Sequence, residues 1–305
     1  KKMVFSACTS SSPDDRVQFT SLLCCSSKSD ALRLIEEHGA RYSLALGSVA
    51  LHVLANLAAS AGVAECTQML SMPAVNGLLL QLGSQLSGGS QIDAQGLTCM
   101  LWSLARMGVI ESPLVQGLLT RLLLLISHGT LDGPQLNIVI QAFAKLGVLG
   151  TAAGATLTSY VQAQLGKLGP AQLGTALRAL AEGSTGSAQG AAAVSQLLRQ
   201  VLSHHLHPFL NAPSADAKDN SRARSSAEQV HGVASLLVAL AMAQLTPPAE
   251  SARVEALCEA LTAGGLEPSG LSLQDTATLH HAITLLGASE ARLVSSLHAA
   301  METKI

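Results

Sequence analysis

Aromatic residues make up only 2% of this 305-residue chain, and that scarcity bears first on fold class. Sheets draw on aromatic and β-branched side chains, whereas a chain that is 48% apolar and rich in Leu and Ala suits helix packed on helix. Charge is also scarce. Charged residues are 12% of the chain and the formal net charge is −2, which excludes a strong overall grip on a phosphate backbone but leaves room for a local basic stripe. Cys8, Cys24, Cys25, Cys66, Cys99 and Cys258 show no CxxC spacing, and several fall inside apolar helical patterns, so reduced thiols are expected rather than a disulfide framework. The longest apolar stretch, around 114–126, is interrupted by Gln116, Thr120 and Arg121 and falls short of the roughly 18 to 20 clean residues that cross a bilayer. No Gly-x-Ser-x-Gly elbow, P-loop or dinucleotide fingerprint is present, and Gly88-Gly89 and Gly264-Gly265 lack the strand-to-helix setting of a phosphate cradle. An enzyme is the least supported class, and no cofactor, metal or small-molecule substrate is expected.

What the chain does have is repetition. Two segments, from Gln95 to Val109 and from Gln135 to Val148, carry the same order of polar start, apolar helical period and small-residue end. Leu97, Leu101, Leu104 and Ala105 fall on one helical face, as do Leu136, Ile140, Phe143 and Ala144. Anchoring later segments on Leu57, Leu104, Phe143, Leu180, Leu240 and Leu286 yields about six units of roughly 37 to 60 residues. First helices are expected near 47–61, 94–107, 134–146, 170–182, 228–244 and 274–287. Second helices are expected near 73–86, 112–127, 151–166, 189–204, 250–262 and 289–302. The fold expected is therefore all-α, an α-solenoid of helix-turn-helix repeats, in which each unit buries its apolar face against its neighbours.

Residues 1–28 are Ser-rich with little helical period and read as an irregular N-terminal arm; 29–305 read as a single α-solenoid domain. Ser29-Asp30 opens a leading half-repeat that Gly39 is expected to close with a left-handed cap. A polar insertion at about 211–227 has almost no apolar content and reads as a mobile loop on one edge. The chain opens at Lys1 without methionine or a signal pattern, which leaves an upstream targeting peptide as an expectation.

The run Leu101-Trp-Ser-Leu-Ala-Arg-Met-Gly108 resembles helix A of the octotricopeptide repeat, related to the repeats of FAST-kinase-like organellar proteins. Ala142-Phe-Ala-Lys-Leu-Gly147 is similar to it as well, and Ala179-Leu-Ala-Glu-Gly183 more weakly. The resemblance implies an organellar α-solenoid of the kind abundant in green algae, whose members bind RNA in transcript maturation, translation or ribosome assembly. Combined with the low basic content, it favours a subunit held in a larger assembly, with ribosomal RNA and neighbouring subunits as partners in a mitochondrial ribosome. A free organellar RNA-maturation or translation factor, a protein-only scaffold and a chloroplast location stay open as alternatives.

Candidate RNA contacts follow from repeat equivalence. Arg106 and Lys145 occupy corresponding positions near first-helix ends, with Arg178 a turn earlier in the third copy, so they can track successive phosphates along one surface. The alternative is compensation of the helix macrodipole, worth about 0.3 to 1 kcal/mol each. Arg121, Lys167 and Arg199 lie on or after second helices, and Arg222 and Arg224 lie in the polar insertion. Thr98 and Asn137 sit where polar side chains read base edges or simply face solvent. Trp102 reads as a packing residue whose loss opens a cavity costing roughly 3 to 5 kcal/mol. His204, His205 and His207 lack the partners of a zinc site.

Overall fold

Asp93 starts one helix and Asp132 another by the same device, the carboxylate accepting the backbone N–H three residues on. At Asp132 the bond is reciprocated, since Gln135 Oε1 accepts from the Asp132 N–H and completes a capping box. Both helices end alike, in a glycine with positive φ: Gly108 at 78° and Gly147 at 69°. The Gly108 turn closes with Val109 N–H on the Leu104 carbonyl, the wrap that stops a helix without a steric penalty. The small-residue signature in the sequence is this turn.

The structure is a computed structural model that describes residues 13–59, 62–210, 219–243, 251–263, 273–287 and 292–303. Every long element among them is an α-helix: α1 (Pro13–Leu23), α2 (Lys28–His38), α3 (Leu44–Ala59), α4 (Val63–Leu70), α5 (Pro73–Ser87), α6 (Ala94–Met107), α7 (Pro113–Ser127), α8 (Gly133–Lys145), α9 (Ala152–Gln164), α10 (Pro170–Ser184), α11 (Ala188–His204), α12 (His207–Leu210), α13 (Asp219–Met242), α14 (Ser251–Ala263), α15 (Leu273–Leu285) and α16 (Arg292–Glu302). The chain forms two compact units, Lys1–Val148 and Leu149–Ile305, where the sequence reads as one array. In the first unit the first helices of successive hairpins stack as α3 on α6 on α8, and α5 stacks on α7 behind them. In the second, α10 stacks on α13 and α13 on α15, with α9 on α11. The architecture is all-α and helical-repeat, hairpin stacked on hairpin within each unit.

Stacking explains the composition. Leu51, Leu54, Leu101, Leu104, Ile140 and Phe143, on the stacked helices α3, α6 and α8, are fully enclosed. In the second unit α10 and α13 come close enough for their backbones to touch. A Cβ on Gly174 would overlap the carbonyl oxygen of Gly232, and one on Gly232 would overlap that of Pro170, so only glycine fits at either place.

Several boundaries differ from expectation. Residues 13–23 of the expected irregular arm form α1, opened by Pro13 with Asp14 and Asp15 in its first turn, and Leu22 is wholly buried as α1 packs on α3. Among the described residues of α1 only Leu22 is fully buried, so no apolar stripe marks the helix in the sequence. The unexpected α4 separates α3 from α5. Ser27, not Ser29, caps α2, and Gly39 lies in the right-handed region at φ −54°, continuing into a 3-10 turn instead of a left-handed cap. Residues 219–227 of the expected loop are helical as the first turns of α13, while 211–218 lie outside the described residues. Hydrophobic content signals burial, not helicity; extending an existing helix through Ala- and Arg-containing sequence needs no new nucleus.

Candidate functional site

Each first helix of the first unit carries a ladder of three polar or aromatic positions spaced four residues apart: Ser48, His52 and Asn56 on α3; Thr98, Trp102 and Arg106 on α6; Asn137, Gln141 and Lys145 on α8. A spacing of four keeps the members of each ladder on one face. On α3 and α6 the first rung is closed to a ligand. Ser48 and Thr98 are buried and their hydroxyls donate to the carbonyls of Ala45 and Gln95, so Thr98 neither reads a base edge nor faces solvent, the two readings open from the sequence.

The upper rungs open to solvent. His52, Trp102 and Arg106 are half-buried, Asn56 is exposed, and the four interlock. The rings of His52 and Trp102 lie 5.3 Å apart at 37°, and the Arg106 guanidinium sits 4.8 Å above the Trp102 ring, a cation–π contact. Arg106 Nη1 donates to Asn56 Oδ1 at 3.0 Å, and Asn56 Nδ2 lies 3.0 Å from His52 Nε2. Burial, and secondly the Arg106 charge, hold the His52 imidazole below its usual pKa. Trp102 is thus half-buried, with Arg106 over its ring and His52 beside it, rather than enclosed in the core as the apolar pattern suggested. An alignment of that repeat on Leu57 does not mark Asn56 and His52. Arg106 pairs with Asn56 across 50 positions, which makes the enclosed Leu54, not the half-buried Leu57, the counterpart of Leu104. The missed signal was a polar pair, His52 and Asn56, at i and i+4 in an otherwise apolar helix.

Lys145, at the sequence position equivalent to Arg106, is exposed on the neighbouring α8. Asn137 is half-buried on the same helix, and its Oδ1 is enclosed with no hydrogen-bond partner. The remaining cations divide by what holds them. Arg121 on α7 donates to the carbonyls of Leu86 at 2.6 Å and Ser90 at 2.7 Å, clamping the C-terminal end of α5. That is a structural duty, and Arg121→Met is expected to lower stability by about 1.5 to 3 kcal/mol in urea unfolding, since it removes hydrogen bonds from a charged donor. In the second unit Arg178 is committed to Glu182 through an exposed i,i+4 pair at 2.8 Å. Lys167, in the 3-10 turn after α9, and Arg199, on α11, are exposed. Arg222 and Arg224 lie on the first turns of α13, and their side chains are outside the described residues. His204 ends α11 exposed, and among the described residues no group of three or more His, Cys, Asp or Glu side chains is disposed to hold a metal. Cys99 is buried with its thiol pushed up to about 12 by burial, so it is inert at neutral pH.

A second surface feature lies between α4, α5 and the turn after α6: an open groove of about 440 Å³ lined by Leu70, Leu79, Val109, Ile110 and Glu111. Ile110 is 51% exposed there, and Leu80 on α5 is 69% exposed. Among the described residues no helix is long and apolar enough to cross a membrane. No protein-family model matches the chain, and no curated protein matches it.

Proposed function

We propose that this chain is an RNA-associated helical-repeat subunit that braces ribosomal RNA and neighbouring proteins, most consistent with a mitochondrial ribosome. The observation that carries the reading is the open upper rung of the first unit, where an aromatic platform and two cations, Trp102, Arg106 and Lys145, stand on consecutive stacked helices. Stacking on an aromatic face and charge-assisted bonds to phosphate are the two contacts that hold single-stranded RNA. A preformed face loses little entropy on binding, which suits a bracing role. The near-neutral chain supports few phosphate contacts, so affinity in isolation is low and the surrounding assembly supplies the rest. The likeness of 101–108 to the octotricopeptide repeat supports an organellar setting. The exposed Ile110 in the groove and the exposed Leu80 on α5 favour a second reading, a protein-only scaffold.

Two measurements separate them. Lys145→Ala is expected to leave stability within about 0.5 kcal/mol and to make the salt dependence of binding to a labelled single-stranded RNA shallower by about 0.7 log unit per log unit of salt. An unchanged slope removes Lys145 from the RNA contact. Sedimentation of the native protein with large ribosomal particles supports the subunit, whereas recovery in an RNA-free complex supports the scaffold.

A further inference from the structure

The Arg106–Asn56–His52 chain has a fixed polarity. Arginine has donors only, so the Arg106 bond at 3.0 Å makes Asn56 Oδ1 the acceptor and turns the amide nitrogen toward His52 Nε2, also at 3.0 Å. Nε2 must then carry a lone pair, which means neutral His52 with its proton on Nδ1. Adding a proton at Nε2 sets donor against donor. The simplest relief is a half-turn of the Asn56 amide, which offers Oδ1 to the imidazolium and Nδ2 to Arg106. Arg106 then faces a donor in its turn and loses its tether, while the Trp102 face 4.8 Å away still supports it.

We infer that His52 and Asn56 form a proton-operated gate on Arg106, which is tethered while His52 is neutral and released to seat an RNA phosphate when His52 is protonated. This rests on the RNA reading above. Of the elements packed on α3, namely α1, α2, α4, α5 and α6, it is α6 whose Arg106 charge lowers the His52 pKa. Moving the guanidinium out to a phosphate therefore relieves the repulsion that opposes protonation. By linkage, proton and phosphate binding strengthen each other. Because burial and Arg106 both lower the His52 pKa, the gate opens below the ordinary histidine range.

Trp102 is the only tryptophan in the chain and reports on the gate directly. Its fluorescence in the full chain is expected to show a transition below about pH 6.5 that His52→Gln abolishes. Binding of a labelled oligouridylate of about ten nucleotides, and separately of inorganic tripolyphosphate, is expected to tighten toward acid by up to about tenfold per pH unit in the native chain. His52→Gln should show no such gain, and Asn56→Ala should bind more tightly than the native chain at neutral pH with a smaller acid gain, because nothing tethers Arg106 while its repulsion with protonated His52 remains. If either variant fails to fold, the His52 pKa followed by NMR in the native chain should rise when tripolyphosphate is added, and a pKa that does not move overturns the gate. Binding that is pH-independent, or that tightens equally in His52→Gln, overturns the gate and leaves the RNA reading standing. Tripolyphosphate binding with the acid gain but no oligouridylate binding overturns the RNA reading and keeps the gate. If neither probe binds at any pH, both fall.

Discussion

Phe143→Ala is expected to remove about 3 to 5 kcal/mol from the first unit, the cost of emptying a fully enclosed aromatic site in a close-packed interior. Phe143 lies on α8, on the face that Leu136 and Ile140 share, and all three are almost wholly buried. No solvent reaches the space it would leave, and the helices around it are held by their own hydrogen bonds, so the cavity collapses only in part. Urea unfolding followed by circular dichroism should show the midpoint falling at unchanged slope. A loss below about 1 kcal/mol would mean that the row is loosely packed. Trp102→Ala should cost less, since Trp102 is half-buried against His52 and Arg106 and its removal exposes surface rather than opening a void. The order of the two aromatics is itself a test: the larger ring is the smaller loss.

The second large effect is expected at the α10–α13 contact. Gly174→Ala should cost the second unit at least about 1 to 3 kcal/mol, because the added methyl meets backbone, which has no rotamer by which to yield. Alanine regains roughly 0.5 to 1 kcal/mol of helix propensity over glycine, and the clash must exceed that to appear as a loss. Gly77→Ala on α5 is the control. A Cβ there meets nothing within 4 Å, so the propensity gain should stand alone and raise stability. Opposite shifts for one and the same chemical change would establish that helix separation, not glycine content, sets the outcome.

The helical rows were legible because their signals are short-range. Polar caps such as Asp93 and Asp132, glycine ends such as Gly108 and Gly147, and apolar periods within one turn place α6 through α11 to within about two residues. The same logic misses α1 and α4, whose places depend on a partner that sequence does not name. Residues 219–227 are helical despite their few apolar side chains, because low hydrophobicity speaks of exposure and not of backbone conformation. The candidate face was half legible: Arg106 and Lys145 stand out in repeat alignment, but the partners of Arg106 come from α3, 50 positions earlier, in a unit whose repeat signature has decayed. Arg121 shows the reverse error. Its charge looked available for phosphate and is spent on two carbonyls at the end of α5.

The touching glycines of α10 and α13 also act as a notch. Sliding α13 along α10 by one turn would bring Glu228 or Leu236 to the place of Gly232, and either side chain carries atoms where only a hydrogen fits. The glycine notch therefore registers the two helices by shape, together with the polar contact of Thr175 Oγ1 with His231 Nε2 at 3.2 Å. Lengthening or shortening the connection ahead of α13 should leave that alignment intact, which makes the junction a natural place to graft a reporter peptide.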